Sequence, residues 1–92
     1  MDVREIGEVI EFHRKMSALS REGLATLAGV GKTVIFDVEK GKQTIRLATL
    51  FKILQALNIS VQLESPLMQH YQEAKDAEGD RPGQPLDSRD TD

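Results

Sequence analysis

Apolar residues in the first two thirds of the chain recur at helical spacing, in short blocks broken by Gly, Ser or Asn. The first block predicts a helix over residues 3–16. Ile6, Val9, Ile10 and His13 share one face at the 3.6-residue period, and Phe12 and Met16 widen it. Ser20 then offers an N-cap, with Glu22 in the first turn, where negative charge favours the helix dipole. Leu24, Ala25, Leu27 and Ala28 supply a small packing face and Gly29 a left-handed end, so a second helix is expected over residues 21–28. A third runs from Lys32 to Glu39, with Ile35 and Val38 on its buried edge, and Gly41 stops it. Lys32, Thr33, Phe36 and Asp37 lie on its other side. Leu47, Leu50, Phe51, Leu54 and Leu57 form the strongest stripe, predicting a fourth helix over about residues 46–57 that Asn58 terminates.

The period then changes. Ile59, Val61 and Leu63 alternate with Ser60, Gln62 and Glu64, which is a strand signal. A lone strand is not stable in a helical domain, and its cheapest partner is its own copy in a second subunit. Ile59, Val61 and Leu63 are therefore the expected dimerisation residues. From about residue 72 the chain is polar and rich in Pro and Gly, with Leu86 as its only large apolar residue. Such a stretch buries too little surface to offset the entropy of ordering, so disorder is expected there. The fold class is all-α, with four to five helices and a short C-terminal strand pairing across a dimer. The organisation expected is a domain over residues 1–58, a dimerisation strand over 59–66 and an acidic, mostly disordered tail over 67–92.

The charge follows this division. The whole chain of 92 residues carries a formal net charge of -3. Residues 1–66 alone carry nine Lys or Arg against eight Asp or Glu, whereas residues 67–92 carry three against seven. The acidity belongs to the tail. Within residues 32–46 four bases face two acids, and a local basic patch matters more to a polyanion than the total.

Several chemistries are excluded. The chain has no Cys, which removes thiolate metal clusters, thiol nucleophiles and disulfides. No apolar run approaches the roughly 20 residues that span a bilayer, and residues 1–8 do not open a signal peptide, so a cytoplasmic protein with no membrane partner is expected. The run Gly29-Val30-Gly31-Lys32-Thr33 evokes a phosphate-binding loop, but the full spacing needs Gly where Thr26 stands. His13 and His70 are isolated from each other. No cofactor, no metal and no enzymatic activity are expected.

Two short helices joined by a Gly-containing turn form a helix-turn-helix pattern. The first such helix crosses the DNA backbone and the second enters the major groove, about 12 Å wide. Short helix pairs also occur in bundles and protein-binding modules, so spacing alone leaves both readings open.

Residues 6–58 resemble the Cro/CI-type helix-turn-helix domain, also called the XRE family. The matching residues are Ile10 and Arg14, then Leu19-Ser20-Arg21-Glu22-Gly23-Leu24-Ala25, Gly29-Val30, Ile35, Glu39-Lys40-Gly41, and Leu47, Leu50 and Leu57. Within the family, the run from Thr49 to Leu57 and the strand-like Ile59 to Leu63 are similar to HipB-like antitoxins. The resemblance implies a lambda-repressor-like fold. It also implies a homodimer that binds palindromic double-stranded operator DNA, represses its own operon and neutralises a HipA-like Ser/Thr kinase toxin.

It implies roles residue by residue. Arg14 and Glu39 match a structural ion pair tying the first helix to the end of the third. Ser20 and Arg21 open the second helix, where the family contacts phosphate. Lys32, Thr33, Val34, Phe36 and Asp37 match contact positions of the recognition helix, although Val34 is ambiguous. Phe36 has two readings, a thymine methyl contact or a core or dimer contact. Asp37 can accept from cytosine N4 but repels phosphate unless well placed. Lys40, Lys42 and Arg46 would hold backbone oxygens, positioning rather than specifying, or else are solvated surface charges. Glu11 and Gly31 depart from the family, which often has Arg and a Ser or Thr cap there. Two other readings remain: a stand-alone regulator without a toxin, and a protein-interaction adaptor that keeps the fold but has little DNA affinity.

Overall fold

The computed structural model describes residues 1–79, and these hold five helices. They are α1 (Val3–Met16), α2 (Arg21–Ala28), α3 (Lys32–Glu39), α4 (Leu47–Ala56) and α5 (Met68–Gly79). The chain divides into a unit over Met1–Val61, which contains α1 to α4, and a second unit beginning at Gln62, which contains α5. None of the described helices is long and apolar enough to cross a membrane.

Local chemistry sets the helix boundaries. Asp2 caps α1 by accepting from the Glu5 amide at 2.9 Å, and Ser20 caps α2 by accepting from the Gly23 amide at 2.9 Å. The four helices of the first unit end alike. At each C-terminus an amide reaches back five residues to a carbonyl: Leu19 to Arg14, Val30 to Ala25, Lys42 to Asp37 and Ile59 to Leu54, at 3.1, 3.0, 3.0 and 2.9 Å. This closure needs a residue with positive φ, supplied by Ala18, Gly29, Gly41 and Asn58. Gly29, Gly41 and Asn58 are the terminators that the sequence pattern predicts. Ala18 carries a Cβ in the left-handed region and gives no such signal.

Ile10, Leu24, Ala25, Ile35, Val38, Ile53 and Leu54 form the buried core, ringed by Ile6, Leu19, Val30, Val34, Ile45, Leu50, Leu57 and Ile59 among others. Helix α2 packs on α3 and α4, and α1 packs on α3. The α1–α3 approach depends on Gly7. A Cβ there would stand 2.3 Å from the Val38 carbonyl oxygen, so only a bare backbone lets the middle of α1 touch the end of α3.

The same junction holds the buried charges. Arg14 Nε donates to Glu39 Oε2 at 2.6 Å, and Arg14 Nη2 donates to Glu39 Oε1 at 3.2 Å. Arg14 Nη1 donates to the Leu19 carbonyl at 2.9 Å, so one side chain also braces the turn into α2. The Arg14 side chain is 8% exposed and that of Glu39 1%. The hydrogen bond that Arg14 donates to Glu39 holds its guanidinium above the ordinary pKa, against the opposing effect of burial.

The structure amends several sequence expectations. In α4 the stripe is turned: Ile53 and Leu54 are buried, while Leu47 and Phe51 are exposed. This helix is apolar around most of its circumference, so periodicity alone does not reveal which stripe faces inward. Leu27, Phe12 and Met16 are likewise exposed rather than packed. Residues 59–66 form no strand, and among the described residues no second strand is present to complete a ladder. Helix α5 occupies part of the segment whose composition predicts disorder. Low apolar content argues against a buried core but not against a local helix, and Glu73, Ala74, Lys75 and Ala77 are strong helix formers. Gln69 Nε2 donates to Glu73 Oε2 at 3.3 Å, one turn along. The rest of the expected tail, Leu86 included, lies outside the described residues.

Replacing Glu39 by Ala strands the buried Arg14 guanidinium at this junction. Glu39→Ala should cost roughly 2–4 kcal/mol, read as a lower midpoint in denaturant titration. Gly7→Ala should cost about 1–3 kcal/mol by forcing α1 off α3, read in the same titration. A Gly7→Ala protein as stable as the parent would contradict the close packing of these two backbones.

Candidate nucleic-acid interface

The turn between α2 and α3 is Gly29-Val30-Gly31. Val30 packs against the core and pins the turn. Gly31 caps α3 through its extended backbone, with no side-chain cap. The first amides of α3 are therefore not capped by a side chain, and a helix N-terminus favours anions.

Ile35, Val38 and Glu39 bury the inner face of α3, and this orients the outer one. Lys32, Thr33, Phe36 and Lys40 are exposed on it. The Lys32 side chain is 64% exposed and Phe36 is 45% exposed, so the face is open to a duplex. Val34 lies apart from these, its side chain half-buried against the core. Asp37 is half-buried at the edge, with Lys42 Nζ at 3.5 Å from its Oδ2. That cation offsets a charge that would otherwise repel phosphate. Lys32 Nζ lies 3.8 Å from Glu22 Oε2 in an exposed pair, worth little and easily exchanged.

Arg21 has a second task that sequence spacing does not reveal. Its Nε donates to Glu39 Oε1 at 3.0 Å, so Glu39 serves two arginines from two helices. One carboxylate thus ties α3 to both α1 and α2. The Arg21 guanidinium carbon also lies 5.3 Å from the centre of the Phe36 ring, and Lys40 Nζ lies 5.4 Å from it. Phe36 is thus no core residue. Ser20 is exposed, with its hydroxyl engaged as the α2 cap. Lys42 and Arg46 are exposed beyond the end of α3, Arg46 at the cap of α4.

Arg4 and Gln43 were not expected at the site. They line a cleft of about 370 Å³ with Asp2, Val3, Lys40 and Gly41. Residues 4 and 40 are far apart in the chain, and only the packing of α1 against the end of α3 places both bases on one cleft. Glu11 sits on α1, where Lys15 holds its carboxyl below the ordinary range through a hydrogen bond and its charge, at 3.1 Å.

Comparison with known proteins accords with this geometry. A family described as helix-turn-helix matches residues 10–63. The chain is 36% identical over 62 residues to a protein named uncharacterized HTH-type transcriptional regulator y4mF of Sinorhizobium fredii, covering 67% of this chain and 82% of that one. It is 39% identical over 62 residues to control protein C.SmaI of Serratia marcescens, covering 66% of this chain and 74% of that one. Among solved structures, the HipA-HipB-O2-O3 complex contains a chain that superposes with a TM-score of 0.66 at 24% identity, over 72% of this chain and 93% of that one. The HipB-O4 20mer complex matches with the same TM-score, identity and coverage. By the match over residues 10–63 and the two curated relatives, this chain belongs to the helix-turn-helix family of XRE type, a family of DNA-binding transcriptional regulators rather than enzymes.

Proposed function

We propose that the protein is a cytoplasmic repressor that binds a palindromic operator as a homodimer and acts as the antitoxin of a HipA-like Ser/Thr kinase toxin. The observation that carries the DNA reading is the exposed outer face of α3, bearing Lys32, Thr33, Phe36 and Lys40, with Lys42 and Arg46 beyond its end. Lys32 and Thr33 enter the major groove, while Ser20, Arg21, Lys40, Lys42 and Arg46 meet backbone phosphates. Such contacts set register, and base contacts set sequence preference. In this reading Asp37, with Lys42 Nζ 3.5 Å away, accepts from a cytosine amine.

A homodimer is supported by apolar surface that one chain leaves uncovered. Phe51 and Val61 are exposed, and they line a groove of about 370 Å³ with Leu54, Gln55, Ile59 and Ser60. In this reading Ile59, Val61 and Leu63 pair with their copies across a two-fold axis, and two recognition helices reach two half-sites. Residues 1–58 are then the DNA-binding domain, 59–66 the dimerisation strand and 67–92 a separate tail. The kinase partner is supported by likeness to the HipA-HipB-O2-O3 complex. The two curated relatives, named a regulator and a control protein, equally favour a stand-alone regulator.

Two experiments test these readings. Binding of the protein to its own promoter fragment should weaken steeply with salt, because phosphate contacts release counterions. Lys40→Ala should weaken binding across sequences and reduce the salt slope by about 1. A protein that shifts no duplex at low salt is an adaptor, not a repressor. The antitoxin reading is checked separately, by co-purification of the chain with the product of the neighbouring gene. Recovery of a kinase-like protein is expected, and recovery of the regulator alone leaves a repressor without a toxin.

A further inference from the structure

We infer that Phe36 is a positioning residue of the DNA-facing surface: its ring holds Arg21 and Lys40 in place for backbone phosphates and reads no base itself. This rests on the proposal that the outer face of α3 meets DNA. The two cations come from different helices. Arg21 is the first residue of α2, and Lys40 is the C-cap of α3. Both lie within the roughly 6 Å at which a ring face attracts a cation, at 5.3 and 5.4 Å from the ring centre. Unsupported Arg and Lys side chains are among those that lose most rotamer freedom when immobilised. They also repel each other when brought close. An aromatic ring that attracts both cations lowers the cost of ordering them before DNA arrives.

Arg21 is further fixed at Nε by Glu39 Oε1, at 3.0 Å. Its hydrogen bond among the described residues uses Nε, which leaves the two Nη groups to face another acceptor. Glu39 is shared, because Arg14 donates to the same carboxylate through two bonds. The result is an oriented cation at the start of a helix, where phosphate is favoured. Phe36 has no donor or acceptor with which to read a base edge, and only a thymine methyl would suit it. With two cations drawn to its ring, its structural partners on this surface are charges rather than the core.

The test compares Phe36→Leu and Phe36→Tyr with the parent protein. The probe is a short mixed-sequence duplex, made with thymine or with uracil throughout, and binding is followed by fluorescence anisotropy at several salt concentrations. Phe36→Leu should bind about three- to tenfold more weakly on both duplexes, with a denaturation midpoint lowered only slightly because the side chain is half exposed. Phe36→Tyr, which keeps the ring, should bind like the parent. In the free protein, ¹⁵N relaxation of the Arg21 side chain should show lower order in Phe36→Leu only. Parental binding by Phe36→Leu with unchanged Arg21 order would overturn the inference. So would a loss that appears on the thymine duplex and vanishes on the uracil one, which would make Phe36 a methyl reader. Failure of the parent itself to bind any duplex would overturn the DNA reading instead, while Arg21 order in the free protein would still decide whether the ring holds the cation.

Discussion

One buried carboxylate organises the DNA-binding unit. Glu39 ends α3, is almost wholly removed from water, and is answered by Arg14 from α1 and Arg21 from α2. Burying a charge without partners is prohibitively costly, so these three side chains must come together or the helix ends cannot pack. The contact fixes the rotation of α3. Once Glu39, Ile35 and Val38 face inward, Lys32, Thr33 and Phe36 have to face outward, because the helical period leaves no other choice.

The network has a second consequence for electrostatics. Glu39 answers two guanidinium groups with one carboxylate, so the buried charge is matched from both α1 and α2. Phe36 and Lys40 extend this arrangement across the surface. A chain that is acidic overall therefore presents a cationic, partly rigid face where α2 and α3 meet. The four Schellman-like helix ends serve the same purpose by keeping the connections short. Little slack remains between the helices that carry the contacts.

The apolar residues left outside this core mark a second kind of surface. Helix α4 has more apolar positions than the core of a single subunit accepts, and Leu47 and Phe51 are the remainder. In a small domain such surplus is commonly met by oligomerisation, and the strand-like alternation from Ile59 to Leu63 points the same way. The physical case for the proposed dimer is that surplus, combined with a strand-like segment that has no ladder partner among the described residues.

Much of the fold was written in local signals. Helix limits for α1 to α3 follow from apolar period, from caps at Ser20 and from glycines at 29 and 41, all of which act over a few residues. The Arg14–Glu39 pair was readable only through family resemblance, because nothing local links residues 25 apart. Three features were decided by packing alone. The inward stripe of α4 depends on what stands opposite it, the need for Gly7 depends on the approach of α3, and the shared use of Glu39 by Arg21 depends on where α2 lands. Short-range chemistry chooses helices and their ends because its partners lie within one turn. Which face becomes core and which residues meet across the chain is set by contacts between helices, and those exist only once the helices have docked.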